Sequence, residues 1–156
     1  MQLSTYRYTP AGGWENALDP TLDSDKTLLI VFGGSDTDEL TPGIVGLREA
    51  FPRSVWIGCS TAGEIYGRTI EDDTLVVAVM KFTHTVLRLV TREIFDDKTS
   101  FDAGSYLSGA LATPGLRAIF VLSDGISCFG SELVNGLMQN VPRGVVVTGG
   151  LAGDGD

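Results

Sequence analysis

The chain has few cysteines, few basic residues and a single histidine, and each shortage narrows the functions open to it. Its two cysteines, Cys59 and Cys128, are far apart and form no metal-binding pattern. They favour a reducing compartment, so we expect a cytoplasmic protein. Eleven Lys and Arg residues stand against 20 Asp and Glu residues, which gives a formal net charge of −9. Because such a surface repels phosphate groups, we expect neither nucleic acid nor a membrane as partner.

Long hydrophobic runs are also missing. No stretch approaches the ~20 apolar residues that cross a bilayer, and residues 1–10 lack the apolar centre of a signal peptide. Hydrophobic residues nevertheless make up 43% of the chain and charged residues 20%, proportions typical of a globular domain with a core. Glycine is abundant, and most glycines follow apolar runs, which indicates turns and loops.

Short apolar runs alternate with helix-forming segments along the chain. Runs typical of strands buried on both faces lie at 27–32, 54–58, 117–122 and 145–148. Residues 74–82 and 85–94 are two β-rich runs separated by two residues, so an antiparallel hairpin is predicted over about 74–94. The pattern predicts a mixed α/β fold over 27–156, with a mainly parallel sheet flanked by helices. Residues 1–26 are predicted to be a surface arm anchored by Trp14.

Small and polar residues follow each of the four apolar strands. They are Gly33, Gly34, Ser35 and Asp36, then Cys59, Ser60, Thr61, Gly63 and Glu64, then Asp124, and finally Gly149, Gly150 and Asp154. Parallel strands would bring these loops to one edge of the sheet, where open α/β folds bind ligands.

The residue types at these strand ends indicate the class of ligand. Open backbone N–H groups suit a carboxylate or phosphate, and the acidic residues suit an amine or a metal cation. The mixture favours a zwitterion such as an amino acid, because polyphosphate sites usually supply Lys or Arg. The alternative is that the glycines serve only turns and the aspartates only cap helices.

Two other functions are open at this level. Cys59 or Ser60 would be the nucleophile of a hydrolase, which needs a base within hydrogen-bond reach. His84 lies in the predicted hairpin turn, and Glu64 is the remaining candidate base. The simpler interpretation of Cys59 is a small buried thiol. His84 would also serve as the single axial ligand of a haem iron, although a lone histidine in a polar turn is more often solvated. No cofactor is assigned from the sequence.

Three segments resemble the FIST N-terminal domain family. Gly58-Cys-Ser-Thr-Ala-Gly-Glu-Ile65 is similar to its signature after an apolar strand. Val146-Val-Thr-Gly-Gly-Leu-Ala-Gly-Asp-Gly155 is similar to its second, glycine-rich motif, and Phe120-Val-Leu-Ser-Asp-Gly125 to the segment between them. The resemblance covers about residues 27–156.

This resemblance implies a sensory input domain that is not an enzyme. FIST domains are regarded as cytoplasmic modules of signal-transduction proteins, with small molecules such as amino acids as their proposed ligands. Some relatives are described as haem-binding nitric oxide sensors. A C-terminal FIST domain and a signalling output module are the implied partners. Because the family's domain normally continues past the glycine-rich motif, we expect the domain to be incomplete at its C-terminus.

Overall fold

The computed structural model describes residues 1–35, 37–94 and 99–153, without the Thr37 side chain. The chain divides into two compact units, one of Met1–Leu87 together with Gly153 and one of Arg88–Ala152, and each is described by itself. A single domain from residue 27 onward stays a prediction. Within the described ranges, no helix has the length and apolar character needed to cross a membrane.

The first unit is built on a mixed five-stranded sheet. In chain order it contains β1 (Gln2–Thr9), β2 (Gly13–Trp14), β3 (Thr27–Gly33), α1 (Thr37–Ala50), β4 (Val55–Ser60), β5 (Glu64–Tyr66), β6 (Thr69–Glu71) and β7 (Leu75–Lys81). The strand order is β2-β1-β7-β3-β4, and β5 and β6 form a separate hairpin. β3 and β4 are parallel and joined through α1, whereas the other pairings are antiparallel. The mixed α/β class is thus confirmed, with a sheet that is partly and not mainly parallel.

Apolar residues from β3, β7 and α1 form the core of this unit. Leu29 of β3 is fully buried opposite Val79 of β7. Leu47 and Phe51 are also fully buried in this cluster, and their helical spacing puts them on one side of α1 and its C-terminal end. The continuous apolar run of β3 is therefore explained by burial in the middle of the sheet.

The N-terminal segment is a strand rather than the predicted surface arm. β1 pairs with β7 over seven of its eight residues, from Gln2 opposite Lys81 to Tyr8 opposite Leu75. Tyr6 and Tyr8 are buried on one face, in keeping with the two-residue period of a strand. Trp14 does anchor the segment, because its ring lies 6.4 Å from that of Tyr6 and 5.4 Å from that of Tyr8. The polar residues on either side of each tyrosine, Thr5, Arg7 and Thr9, conceal this pattern in the sequence.

The predicted hairpin over 74–94 is absent from the described residues. Its first strand exists as β7, but β1 and β3 occupy the two edges of β7. Residues 82–94 form no helix or strand and lead from the first unit into the second. Local β-propensity does not suffice for a strand, since a strand also needs a free edge to pair with.

The second unit is a β–α–β arrangement preceded by a helix. It contains α2 (Ser100–Leu111), β8 (Ala118–Ser123), α3 (Gly130–Leu137) and β9 (Val146–Leu151). β8 and β9 are parallel, with Ala118 opposite Val146 and Ser123 opposite Leu151. Its core cluster includes the buried residues Ala103, Cys128, Leu133 and Leu137.

Two glycines bring α2 and α3 into backbone contact. A Cβ on Gly104 would collide with the carbonyl oxygen of Leu133, and a Cβ on Gly136 with that of Phe101. The buried Ser100 adds a polar link, because its Oγ accepts the N–H of Phe129 at 3.0 Å, one residue before α3. Glycines that weaken an isolated helix are therefore required here by helix packing.

Gly149 and Gly150 lie inside β9 and not in a loop after it, which corrects the predicted end of this strand. They are opposite Val121 and Leu122 of β8. Gly149 has a φ of +151°, and a Cβ there would collide with the carbonyl oxygen of Val121. A close approach of two backbones explains the glycine at this position.

Candidate functional site

The parallel strands β3 and β4 end side by side in the first unit. Gly33 at the end of β3 is opposite Ser60 at the end of β4. Just beyond, the Thr61 N–H donates to the Gly33 carbonyl at 2.9 Å, and the Gly34 N–H donates to the Thr74 carbonyl at 3.2 Å. Both strand exits are thus fixed by backbone hydrogen bonds, one to the other and one to the start of β7.

A cavity of about 280 Å³ opens at these strand ends. Four of its lining residues are predicted site residues, namely Gly33, Gly34, Cys59 and Ser60. The rest of the lining consists of Val31, Leu40, Ile44, Trp56, Ile57, Gly58 and Leu75. The cavity therefore combines the β3 and β4 exits with the side of α1 that carries Leu40 and Ile44.

The glycines of this cavity are required by packing. A Cβ on Gly58 would collide with the carbonyl oxygen of Val31, one on Gly33 would lie 3.1 Å from the carbonyl oxygen of Thr74, and one on Gly34 would lie 3.0 Å from the Asp73 Cα. Turn and packing chemistry thus explains part of the glycine pattern that the sequence linked to a ligand. Because these glycines have no side chain, they also leave the backbone at the cavity wall uncovered.

Glu64 holds the loop after β4 against the start of β7. It is only 2% exposed, and its carboxylate accepts three hydrogen bonds from two threonines. Thr61 Oγ1 donates to Oε1 at 2.6 Å, while the N–H and Oγ1 of Thr74 each donate to Oε2 at 3.0 Å. A buried carboxylate needs such partners, so Glu64 has a structural task within the chain.

Thr74 was not among the predicted site residues, although it completes this network. It is 3% exposed and binds Glu64 through both its backbone and its hydroxyl. Its signal in the sequence is weak, because a threonine at the head of an apolar run is ordinary β-strand composition.

Cys59 lies in β4 and Ser60 ends the strand. Burial raises the pKa of the Cys59 thiol, which keeps the thiol protonated at neutral pH and disfavours a nucleophilic thiolate. Glu64, the candidate base, uses its carboxylate on Thr61 and Thr74 instead. The geometry thus gives no support to a Cys59 or Ser60 nucleophile.

The two strand exits of the second unit are also close together. The Ala152 N–H donates to the Ser123 carbonyl at 2.7 Å, and Gly125 is packed against the Ala152 carbonyl oxygen. Asp124 is exposed and accepts the N–H groups of Ile126 at 3.1 Å and of Ser127 at 2.7 Å. These hydrogen bonds lower the pKa of Asp124, and the bond from the Ile126 N–H has the largest effect. Asp124 therefore stabilises its own loop.

The predicted site residues fall into the two units. The first unit holds Gly33, Gly34, Ser35, Cys59, Ser60, Thr61, Gly63 and Glu64, and the second holds Asp124, Gly149 and Gly150. Asp36 and Asp154 lie outside the described residues. That all four strand ends share one ligand stays a prediction. Within the described part of the chain, no group of three or more His, Cys, Asp and Glu side chains is arranged to hold a metal ion.

A second cavity, of about 410 Å³, was not predicted. It lies in the second unit at the amino ends of β8 and β9, opposite to the exits described above. Its walls are the loops 112–117 and 142–145. These loops carry turn residues such as Pro114, Gly115, Pro142 and Gly144, and the sequence assigns them no further chemistry.

His84 is exposed in the segment after β7. The first-unit cavity contains no histidine among its lining residues, so the residues around it do not offer haem iron an imidazole ligand.

Comparison with known proteins gives one result. The model of the FIST N domain family matches residues 27–156, which is most of the chain. FIST domains are sensory domains of signalling proteins. No curated protein and no solved structure matches the chain significantly.

Proposed function

Because the chain belongs to the FIST N domain family, we propose that it is a sensory domain that binds a small ligand at the carboxyl ends of β3 and β4. In this proposal it acts in the cytoplasm, without catalysing a reaction, and passes the signal to a C-terminal FIST domain and an output module.

The observation that supports this function best is the cavity of about 280 Å³ at the exits of two parallel strands. Its position follows the general rule that open α/β sheets bind ligands outside the carboxyl ends of their strands. Its volume is close to the lower end of the ~300–1,000 Å³ range of small-molecule pockets. Gly33, Gly34, Cys59 and Ser60, which the sequence predicts as site residues, are among its lining residues.

The hydrogen bonds around the cavity suggest how binding would reach the rest of the unit. Thr61 connects the cavity wall to Glu64, and Glu64 connects it to Thr74 at the head of β7. β7 in turn pairs with β1 and β3. A ligand that moves the β3 or β4 exit would therefore act on a network that extends into the middle of the sheet.

The proposal that the domain does not catalyse a reaction rests on Cys59 and Glu64. The raised pKa of Cys59 and the occupied carboxylate of Glu64 both disfavour nucleophilic catalysis. Both cysteines are free thiols, in keeping with the proposed cytoplasmic location.

A cavity-filling substitution tests the site. Ile44 lines the cavity from α1, whereas Val45, the next residue, is exposed and outside the lining. We expect Ile44→Phe to weaken binding of any ligand found in a thermal-shift screen by more than tenfold, while Val45→Phe leaves it unchanged. Isothermal titration calorimetry gives the two dissociation constants. Equal affinities in the two variants would place the ligand elsewhere.

A further inference from the structure

We propose that the ligand of the first-unit cavity is an uncharged molecule with an apolar or aromatic body and one polar group that faces Ser60. This inference rests on the proposed function and specifies the chemical class of its ligand. It replaces the zwitterion that the sequence alone favoured.

The lining of the cavity is almost entirely apolar. Six aliphatic or aromatic side chains and three glycines account for nine of its eleven residues, and the other two are Cys59 and Ser60. None of the eleven is charged. Side chains alternate between the two faces of β4, so Ser60 shares the face of Trp56 and Cys59 points to the other. A ligand that enters therefore meets hydrocarbon, bare backbone and one hydroxyl.

The acidic residues that suggested an amine have other roles where the structure describes them. Glu64 is saturated by Thr61 and Thr74, and Asp124 belongs to the second unit, where it binds the backbone of its own loop. Among the described residues that line the first-unit cavity, none offers a carboxylate to the ammonium group of a zwitterion. An amino acid would therefore gain no ion pair from this lining, whereas an uncharged ring gains the apolar contacts.

The size of the cavity suits a single small ring. An apolar cavity of about 150 Å³ is already large enough to bind benzene, and the first-unit cavity measures about 280 Å³. The indole Nε1–H of Trp56 donates to the Phe51 carbonyl at 3.3 Å, so the one polar atom of that ring already has a partner. Trp56 therefore contributes an oriented apolar surface to the lining, which favours stacking with an aromatic ligand.

Ser60 supplies the polar contact. Its hydroxyl makes no hydrogen bond to residues that the structure describes and is able both to donate and to accept. The Cys59 side chain lies on the other face of β4. Selectivity for one hydroxyl, carbonyl or N–H group on the ligand is thus expected to come from Ser60.

Alkylation of a cysteine placed at position 44 reports on occupancy of the cavity, because Ile44 lines it from α1. The Ile44→Cys variant of the full chain is treated with iodoacetamide, and the rates at position 44, Cys59 and Cys128 are followed separately by peptide mass spectrometry. Because neighbouring residues of a strand face opposite sides of a sheet, Cys59 lies on the other face from Ser60, and its rate should not change. Cys128 is buried in the core of the second unit and serves as the internal control. The probes form matched pairs that share a ring and differ in the zwitterion: indole with L-tryptophan, and p-cresol with L-tyrosine.

We expect indole and p-cresol to slow alkylation at position 44 by at least fivefold at saturation, with no change at Cys59 or Cys128 and no effect of the amino acids. Protection by the amino acids alone would overturn the ligand class but keep the cavity as the binding site. Failure of all four probes to protect position 44 would overturn the inference, while the Ile44→Phe titration tests the proposed function separately.

Ser60→Ala tests the polar contact. The variant should weaken protection by p-cresol about threefold to tenfold, the usual effect of one neutral hydrogen bond, and leave protection by toluene unchanged. Ser35→Ala is the matched control, because Ser35 is exposed and lies outside the lining. An equal loss for p-cresol and toluene would contradict a hydrogen bond from Ser60.

Discussion

Replacement of Glu64 by alanine should destabilise the first unit by about 2–4 kcal/mol. The substitution removes the acceptor of three hydrogen bonds and leaves the buried Thr74 N–H without its partner. An unsatisfied buried donor costs about 1–3 kcal/mol, and the lost bonds and the small cavity add to this. The alanine variant does not have to desolvate a carboxylate on folding, and this offsets part of the loss. The expected loss in unfolding free energy is therefore smaller than the sum of three charged hydrogen bonds.

Glu64→Gln should have a smaller effect, about 1 kcal/mol. The amide keeps one oxygen for Thr74, and the Thr61 hydroxyl is able to turn and accept from the new NH2 group. What is lost is the difference between a charged and a neutral hydrogen bond. The order of stability should therefore be wild type, Gln variant, Ala variant.

Urea unfolding followed by tryptophan fluorescence measures this order. Both tryptophans of the chain, Trp14 and Trp56, belong to the first unit, so the signal reports on the unit that contains Glu64. Glu49→Ala is the control, because Glu49 is exposed on α1 and its loss should change stability by less than about 0.5 kcal/mol. A Glu64→Ala variant as stable as Glu49→Ala would refute the structural role given to Glu64.

Three further outcomes are expected. Gly104→Ala and Gly136→Ala should each lower stability by about 1–3 kcal/mol, seen as faster hydrogen exchange in α2 and α3. By contrast, Gly109→Ala, on the open side of α2, should raise stability by about 0.5–1 kcal/mol. Equal effects of all three substitutions would contradict the close packing of α2 on α3. Alkylation of Cys59 should be slower at pH 7.5 than that of a free cysteine and should accelerate as the pH rises, because its pKa is raised; a rate independent of pH would contradict this. Asp124→Ala should reduce stability at neutral pH, and the difference from wild type should close as the pH falls below the ordinary aspartate value of about 3.9, since the folded-state pKa is lowered; a gap that persists in acid would exclude the charged hydrogen bonds as its cause.

The sequence predicts the buried strands well because each is marked by a continuous run of apolar residues within the strand itself. The apolar run 27–32 gives β3, and the run 117–122 gives β8 almost residue for residue. β1 escapes prediction because only Tyr6 and Tyr8 of its eight residues are buried. Its partner β7 lies some seventy residues away in the chain. A local sequence pattern does not indicate which distant strand it pairs with.

Four of the predicted site residues lie together in the first unit, and their role in binding stays a prediction. Gly33, Gly34, Cys59 and Ser60 line one cavity, which the rule about parallel strand ends anticipates. Glu64 shows the limit of the reasoning, since a carboxylate in a loop has the same appearance in sequence whether it binds a ligand or two threonines. Only the positions of Thr61 and Thr74 distinguish these roles.

Titration of 15N-labelled protein with indole, followed by 1H–15N correlation spectra, tests the ligand site most directly. The largest shift changes should fall on the amides of Gly33, Gly34, Gly58 and Ser60, around the first-unit cavity. Shifts confined to the loops 112–117 and 142–145, or no saturable shifts at all, would contradict a ligand site at the ends of β3 and β4.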